Sequence, residues 1–369
     1  MPTTPPTESH PIVITEIEQF GGAERSVVAL SRWLYQHNIL NHVVTYSDRC
    51  DLTRYASHPL QVIQLNPEPG VRHKIAALRL YFRQHPLPKP LLSGYQPALH
   101  ATLAGVRGFH TLMHDTPSLF GDLDVRAPLS KLRIAISNRI IGHGMRSGGA
   151  TIVTSEYLRN ECRKDFNVAA HIVRMGGLPA TAAPTLHHVQ NRLHLFSVCR
   201  IEANKRIDWI IRSLGELERG NPPLSSRIDW KFDLAGKGSL IPAIRQMAED
   251  LGIGDRVHLH GFVSDNDLEQ FFADADLFLM PAVQGYGIPA IESLQRGIPI
   301  LLHRESGVSD ILLNTPWATV MNGGEENMTT ALQSAIDGVL EGRHHSIAQP
   351  HLPTEDDWAE QVAHLCHWS

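Results

Sequence analysis

Cysteine is scarce in this chain: Cys50, Cys162, Cys199 and Cys366 are scattered through 369 residues without a CxxC pair. That argues against a disulfide framework and a thiolate zinc site, and fits reduced thiols. Long apolar runs are also missing, and none approaches the roughly 18 residues that a membrane-spanning helix needs. The opening MPTTPPTESHP has neither a basic region nor an apolar core, so a short disordered leader is expected and a secretory signal is not. The expected location is therefore cytoplasmic, at most at the inner face of a membrane. Neither the GxGxxG dinucleotide fingerprint nor an HExxH metal motif occurs. With 42% hydrophobic residues the chain can still bury a large core, and its length suggests two domains.

Acidic residues are few in one half only. Residues 1–180 carry 19 Lys+Arg against 13 Asp+Glu, or +6, and the remainder 14 against 25, or −11, which together give the net −5. A basic half beside an acidic half suggests different partners for two domains.

The most informative stretch is LFLMPAVQGYGIPAIESLQRGIPILL, residues 277–302. An apolar strand (Leu277 to Met280) leads into a glycine turn, a helix with Pro289 near its first position, and a second apolar strand. The amides of Gly287, Ile288, Ala290 and Ile291 are expected to point out of that helix N-terminus, where a phosphate would fit. Glu292, in the first turns, suits the hydroxyls of a ribose or sugar. The segment QGYGIPAIE resembles the signature of retaining glycosyltransferase family 4, two glutamates separated by seven residues around a Gly-aromatic-Gly-hydrophobic-Pro core. Glu292 matches the second glutamate, and Gln284 stands in place of the first.

Around this stretch the second half alternates strands (193–199, 230–235, 257–260, 277–280 and 299–302) with helical patterns, the sign of a doubly wound parallel sheet with ligands at its carboxyl edge. Arg200 and Lys205 follow the first of these strands and would oppose a diphosphate. Their spacing resembles the family's GR…K, with Cys199 in place of the glycine. Gly236 and Gly238 resemble its GxG turn beside the nucleotide, and Gly307 with Asp310 its glycine loop and following acid.

In the first half, a strand at 12–15 precedes Gly21-Gly22 and a helix with Val27, Val28, Leu30 and Leu34 on one stripe. GGAER, with Glu24 and Arg25, resembles the family's opening turn, which faces the donor; a plain tight turn explains two glycines equally well. Short strands are expected at 43–46 and 62–65, then a helix with Val71, Ile75, Leu78 and Phe82 on one face and Arg72, Arg79 and Arg83 beside it. A solvated surface helix is one reading. The other is contact with anionic lipid or a pyrophosphate-bearing acceptor through residues 71–90, supported by the basic segment KLRIAISNRIIGHGMR. His110 and His114 are four apart, but on a strand they would merely share a face. His114, with Asp115, falls where the family places a histidine on the transferred sugar.

Three DxD strings, Asp122/Asp124, Asp265/Asp267 and Asp274/Asp276, invite a metal reading. Asp265 to Asp267 read instead as a helix cap and first turn, and Asp274 to Asp276 as the approach to a buried strand. No metal and no cofactor are expected.

The resemblance implies an α/β GT-B fold: two Rossmann-like doubly wound domains facing a cleft. The expected parts are an acceptor-side domain over 1–178, a linker over 179–192, a donor-binding domain over 193–345, and a segment over 346–369 whose helix (Trp358, Val362, Leu365) returns to the first domain. The implied reaction moves a hexose from a UDP- or GDP-sugar to a hydroxyl of a glycan or lipid-linked acceptor, with retention; nucleic acid is not an expected partner. Arg200, Lys205 and the helix amides would hold the leaving diphosphate, Glu292 the ribose, His114 the sugar, and Gln284 would bind sugar hydroxyls without a charge. Gly21, Gly22, Gly236, Gly238 and Gly287 would bring backbone close to the donor. An inactive scaffold or a sugar-nucleotide epimerase of the same architecture remains an alternative.

Overall fold

A computed structural model describes residues 9–86, 88–114, 128–177, 189 and 191–368. Asp115, Asp122, Asp124 and nearly all of the expected 179–192 linker lie outside them. The chain divides into one unit of residues 1–176 and 353–369 and another of 177–352.

Unit 1 contains strands β1 (His10–Val13), β2 (Asn41–Thr45), β3 (Val62–Gln64), β4 (Leu91–Ser93), β5 (His110–Met113), β6 (Thr151–Val153) and β7 (His171–Ile172). Its helices are α1 (Gly22–Gln36), α2 (Val71–Gln84), α3 (Tyr95–Ala104), α4 (Pro128–Met145) and α5 (Glu156–Phe166). The seven strands form one parallel sheet in the order β3-β2-β1-β4-β5-β6-β7, with Ile12 opposite Val43 and Leu91. Connections from β3 to β7 all step the same way along the sheet, so right-handed crossovers place α2 to α5 on one face. There Leu78, Tyr81, Ala98, Ala101, Ile141, Met145, Leu158 and Phe166 bury against Val13, Val44, Leu92, Met113 and Val153.

Unit 2 contains β8 (Arg192–Val198), β9 (Asp229–Ala235), β10 (Val257–Gly261), β11 (Leu277–Met280), β12 (Ile300–His303) and β13 (Ala318–Met321). They alternate with α6 (Ile207–Arg219), α7 (Leu224–Arg227), α8 (Ile241–Asp250), α9 (Asp265–Asp274), α10 (Ile288–Gln295) and α11 (Met328–Leu340). The order β10-β9-β8-β11-β12-β13 is again parallel throughout. It reverses direction between β8 and β11, the topological switch point at which doubly wound sheets bind ligands. Every residue of β11 and β12 is buried, as strands covered on both faces require.

The last helix, α12 (Glu355–Leu365), belongs to unit 1. Thr354 caps it, with its hydroxyl accepting from the Asp357 amide at 3.1 Å. Trp358, Ala359, Val362 and Ala363 are buried, and Glu355 and Asp356 meet Arg25 at 3.2 Å and Arg32 at 2.7 Å on α1.

Candidate active site

Four strand ends and one helix N-terminus build the site in unit 2. β8 runs out through Cys199 and Arg200 into a 3-10 turn, Ala203–Lys205, that precedes α6. Lys205 Nζ donates to Gln284 Oε1 at 2.7 Å, across the switch point. Gln284 Nε2 faces the Met280 sulfur at 2.9 Å, so the amide is held from both ends. Arg200 is exposed beside the same turn. Burial pushes the Cys199 thiol up to about 11, opposed by the positive charges of Lys205 and then Arg200. Both expected cations therefore lie around Cys199.

A third cation was not read from the sequence. Arg206 takes a left-handed backbone conformation, φ 54°, at the N-cap of α6. Its guanidinium donates to the Pro281 carbonyl at 3.3 Å and stacks over Trp209, 4.1 Å from the ring centroid. Burial lowers its pKa, and Glu305 and Asp208 oppose that shift. The signal was the KR doublet just before an amphipathic helix.

The segment after β11 is strapped down by its neighbour after β12. Gly307 N donates to Gln284 O at 3.1 Å, Val308 N to Tyr286 O at 3.1 Å, and Ser306 Oγ to Tyr286 O at 3.1 Å. Gly287 then caps α10 at φ 118°, where a Cβ would sit 2.7 Å from Met280 Cε and 2.8 Å from Gln284 Nε2. Only glycine fits that conformation and that space. Ile288 opens the helix. The Ala290 amide, expected to be available to an oxyanion, donates instead to Gly287 O at 3.1 Å, because the first turn closes as a tight i→i+3 loop. Glu292 is 7% exposed, and a Cβ on Gly177 would lie 3.0 Å from its Cγ.

Gly236 and Gly238 are required by packing at the adjoining strand ends. At Gly236 (φ 130°) a Cβ would fall 1.8 Å from Cys199 O, and at Gly238 2.1 Å from Ile201 O. Ile201 N donates to Lys237 O at 2.8 Å, and Gly236 N to Gly261 O at 2.7 Å. The GxG turn thereby fixes the backbone that carries Arg200. Gly236→Ala is expected to destabilise unit 2 by about 2–4 kcal/mol through clash and a forbidden φ. A thermal melt checks this, and an unchanged melting temperature would contradict it.

Unit 1 gathers the remaining expected residues at the start of α1. Gly21 is extended, φ −139°, and donates its amide to Glu24 Oε2 at 3.0 Å; Gly22 is the first helical residue. Gly21 thus needs no glycine-only conformation, and the reading of the pair as a plain turn stands on its geometry. On the next turn of α1, Ser26 spends its hydroxyl proton on Ala23 O at 2.7 Å, so its oxygen accepts from His114 Nε2 at 3.1 Å. That sets the tautomer of His114. His110 Nδ1 accepts from Ala150 N at 3.0 Å inside the sheet.

The acidic pairs are structural where they are described. Ser264, one residue before the expected cap at Asp265, accepts from the Asp267 amide at 3.3 Å and caps α9. Asp276 accepts from the His194 amide at 2.8 Å and joins β11 to β8. Among the described residues no group of three or more His, Cys, Asp or Glu could hold a metal ion.

Residues 184–345 match the family described as glycosyl transferases group 1. Unit 2 is a group 1 glycosyl transferase domain. The GDP-mannose-dependent alpha-(1-6)-phosphatidylinositol monomannoside mannosyltransferase of Mycolicibacterium smegmatis is 30% identical over 165 residues, covering 40% of this chain and 41% of that protein. The alpha-monoglucosyldiacylglycerol synthase of Streptococcus pneumoniae is 20% identical over 42% of this chain and 34% of its own. The aligned region thus spans less than half of these curated relatives. In three dimensions the likeness covers nearly everything. WaaG, a glycosyltransferase involved in lipopolysaccharide biosynthesis, superimposes with a TM-score of 0.68 at 17% identity over 97% of this chain and 95% of its own. HepE from Anabaena, in complex with UDP, gives 0.71 at 14% identity over 96% and 98%. At such identities the likeness shows the fold, an α/β GT-B fold of two parallel-sheet units. In the group 1 domain, Gln284, Lys205 and the Gly287 cap occupy the switch point, whose use in such sheets is ligand binding.

Proposed function

We propose that this chain is a retaining, metal-independent hexosyltransferase that uses a nucleoside diphosphate sugar. The observation that carries the reading is the crowding of Lys205, Arg206 and Arg200 with the Gly287-capped N-terminus of α10 at one switch point. Two held cations, Lys205 and Arg206, the exposed Arg200 beside them and a helix dipole oppose a leaving diphosphate, the role a metal ion plays elsewhere.

In this reading the bond from the anomeric carbon to the diphosphate oxygen breaks as the acceptor oxygen bonds to the same face. The acceptor's hydroxyl proton leaves with the diphosphate. Lys205, Arg200 and Arg206 stabilise the charge developing on that oxygen. Glu292 binds the ribose hydroxyls, His114 orients the hexose, and Gln284 offers the sugar hydrogen bonds without a charge. Gly236, Gly238 and Gly287 keep side chains away from the donor, with the Ile288 amide facing it. A glycan or glycolipid acceptor is favoured by the named relatives, one acting on a phosphatidylinositol mannoside and one named for a glucosyldiacylglycerol.

The test is a thermal-shift panel of UDP-, GDP- and ADP-sugars followed by nucleoside diphosphate release with EDTA present. One nucleotide class is expected to raise the melting temperature, because a ligand bound only by the native state must, and EDTA should leave release unchanged. Binding without release on any acceptor would favour the scaffold reading, and donor conversion without acceptor the epimerase.

A further inference from the structure

Gln284 is fixed through both its backbone and its side chain. Its carbonyl accepts from Gly307 N at 3.1 Å, and residues 284 and 306 form an isolated parallel bridge. Its half-buried carboxamide spans neighbours from two strand ends. Oε1 accepts from Lys205 Nζ at 2.7 Å, in the turn after β8, and Nε2 faces the sulfur of Met280, the last residue of β11, at 2.9 Å. The amide cannot turn over in this slot, because an NH2 aimed at an ammonium would set donor against donor. Gly287 keeps the slot open, since a Cβ there would lie 2.8 Å from Nε2.

The charge of residue 284 then matters more than its shape. A carboxamide and a carboxylate are nearly isosteric, and either would accept from Lys205. The amide takes one of the three ammonium donors without cancelling its charge. A carboxylate in the same place would form an ion pair with the ammonium and set a negative charge where a phosphate has to arrive. Met280 is 7% exposed and adds a neutral, polarizable neighbour on the other side of the amide.

We propose that Gln284 is a positioning residue whose neutral amide holds Lys205 for the sugar-bearing phosphate of the donor, and so sets a preference for nucleoside diphosphates over monophosphates. The proposal rests on the donor-site reading, in which Lys205 meets the phosphate oxygen that leaves the anomeric carbon. A monophosphate lacks that second phosphate and gains nothing from the ammonium. Glutamate at 284 would hold the lysine equally well and discharge it, so it is expected to serve this site worse than glutamine.

The test is calorimetric titration of the full chain with UDP, GDP and ADP and with the corresponding monophosphates. No sugar is present, so contacts of Gln284 with sugar hydroxyls are not sampled. One diphosphate is expected to bind at least about tenfold more tightly than its monophosphate. Gln284→Ala should weaken that diphosphate about tenfold and leave the monophosphate within about twofold, and Gln284→Glu should weaken the diphosphate about thirtyfold. In a Lys205→Ala background, Gln284→Ala should cost less than about twofold, because a residue that acts through another has nothing left to lose. The monophosphate affinity and a melting temperature close to the parent's report that each variant folds. An equal loss of both nucleotides, a Gln284→Glu chain as tight as the parent, or the same cost of Gln284→Ala in both backgrounds would overturn the proposal. In those cases a diphosphate weakened by Lys205→Ala alone still supports the donor-site reading. A parent that binds no diphosphate, or a Lys205→Ala chain that binds it unchanged, would overturn that reading and this proposal together.

Discussion

Lys205→Ala is expected to lower kcat/KM for the donor by 10²–10³, about 2.7–4 kcal/mol of transition-state stabilisation. The ammonium is half-buried beside Cys199 and held 2.7 Å from Gln284, so it is in place before any diphosphate arrives. Preorganisation of that kind makes a charge worth more on a developing oxyanion than on the resting substrate. The loss should therefore fall mainly on kcat, with KM changing less. Arg200→Ala, at an exposed position, should cost less. Nucleoside diphosphate release from the sugar nucleotide identified by thermal shift measures both. A Lys205→Ala enzyme within about threefold of the parent would remove the cation cluster from the mechanism and with it the proposed function.

Unit 1 is expected to unfold in acid, losing stability between pH 6.5 and pH 4. His42, His100 and His110 are each 1–2% exposed, and burial first of all pushes each of them down to about 4. Neighbouring charge adds to this: His85 and His10 act on His42, Lys74 on His100, and Lys89, His367 and His10 on His110. All three are held neutral as hydrogen-bond partners. His42 bridges Ser9 at 2.7 Å and Tyr81 at 2.5 Å, His100 meets the Tyr46 hydroxyl at 2.8 Å, and His110 accepts the Ala150 amide. The unfolded chain takes up a proton near pH 6.5 that the folded chain refuses until about 4. The stabilising contribution is thus complete above 6.5, falls as the pH drops, and levels off below 4. Each histidine contributes up to about 3 kcal/mol of this loss, against a typical total of about 5–15 kcal/mol. Urea unfolding at pH 7, 6 and 5 measures it. A midpoint constant from pH 7 to pH 5 would contradict it, and His100→Gln should flatten the slope.

Much of the fold could be read before any coordinates. Fully buried parallel strands such as Leu277 to Met280 appear as unbroken apolar runs, and glycine turns mark where they hand over to helices. β7 and β13 escaped notice because His171–Ile172 is two residues long and Ala318–Met321 is mostly half-buried, so neither has an apolar run to display. α9 begins one residue from the expected place, since Ser264 and Asp265 are both competent caps and only backbone geometry chooses between them.

For the site, the residue types came from the chain and their duties from its folding. Local sequence determined that a group 1 domain with a glycine-capped helix and two nearby cations was present, because a left-handed cap, a strand-helix joint and a spaced Arg and Lys are matters of neighbouring residues. Which groups meet was decided only in three dimensions. Lys205 reaches Gln284, 79 positions on, because β8 and β11 are adjacent in the sheet. Arg206 joins them by a left-handed backbone, and His114 is tied to Ser26, 88 positions away. Contacts across such separations depend on strand order, and strand order is fixed by the packing of the whole sheet.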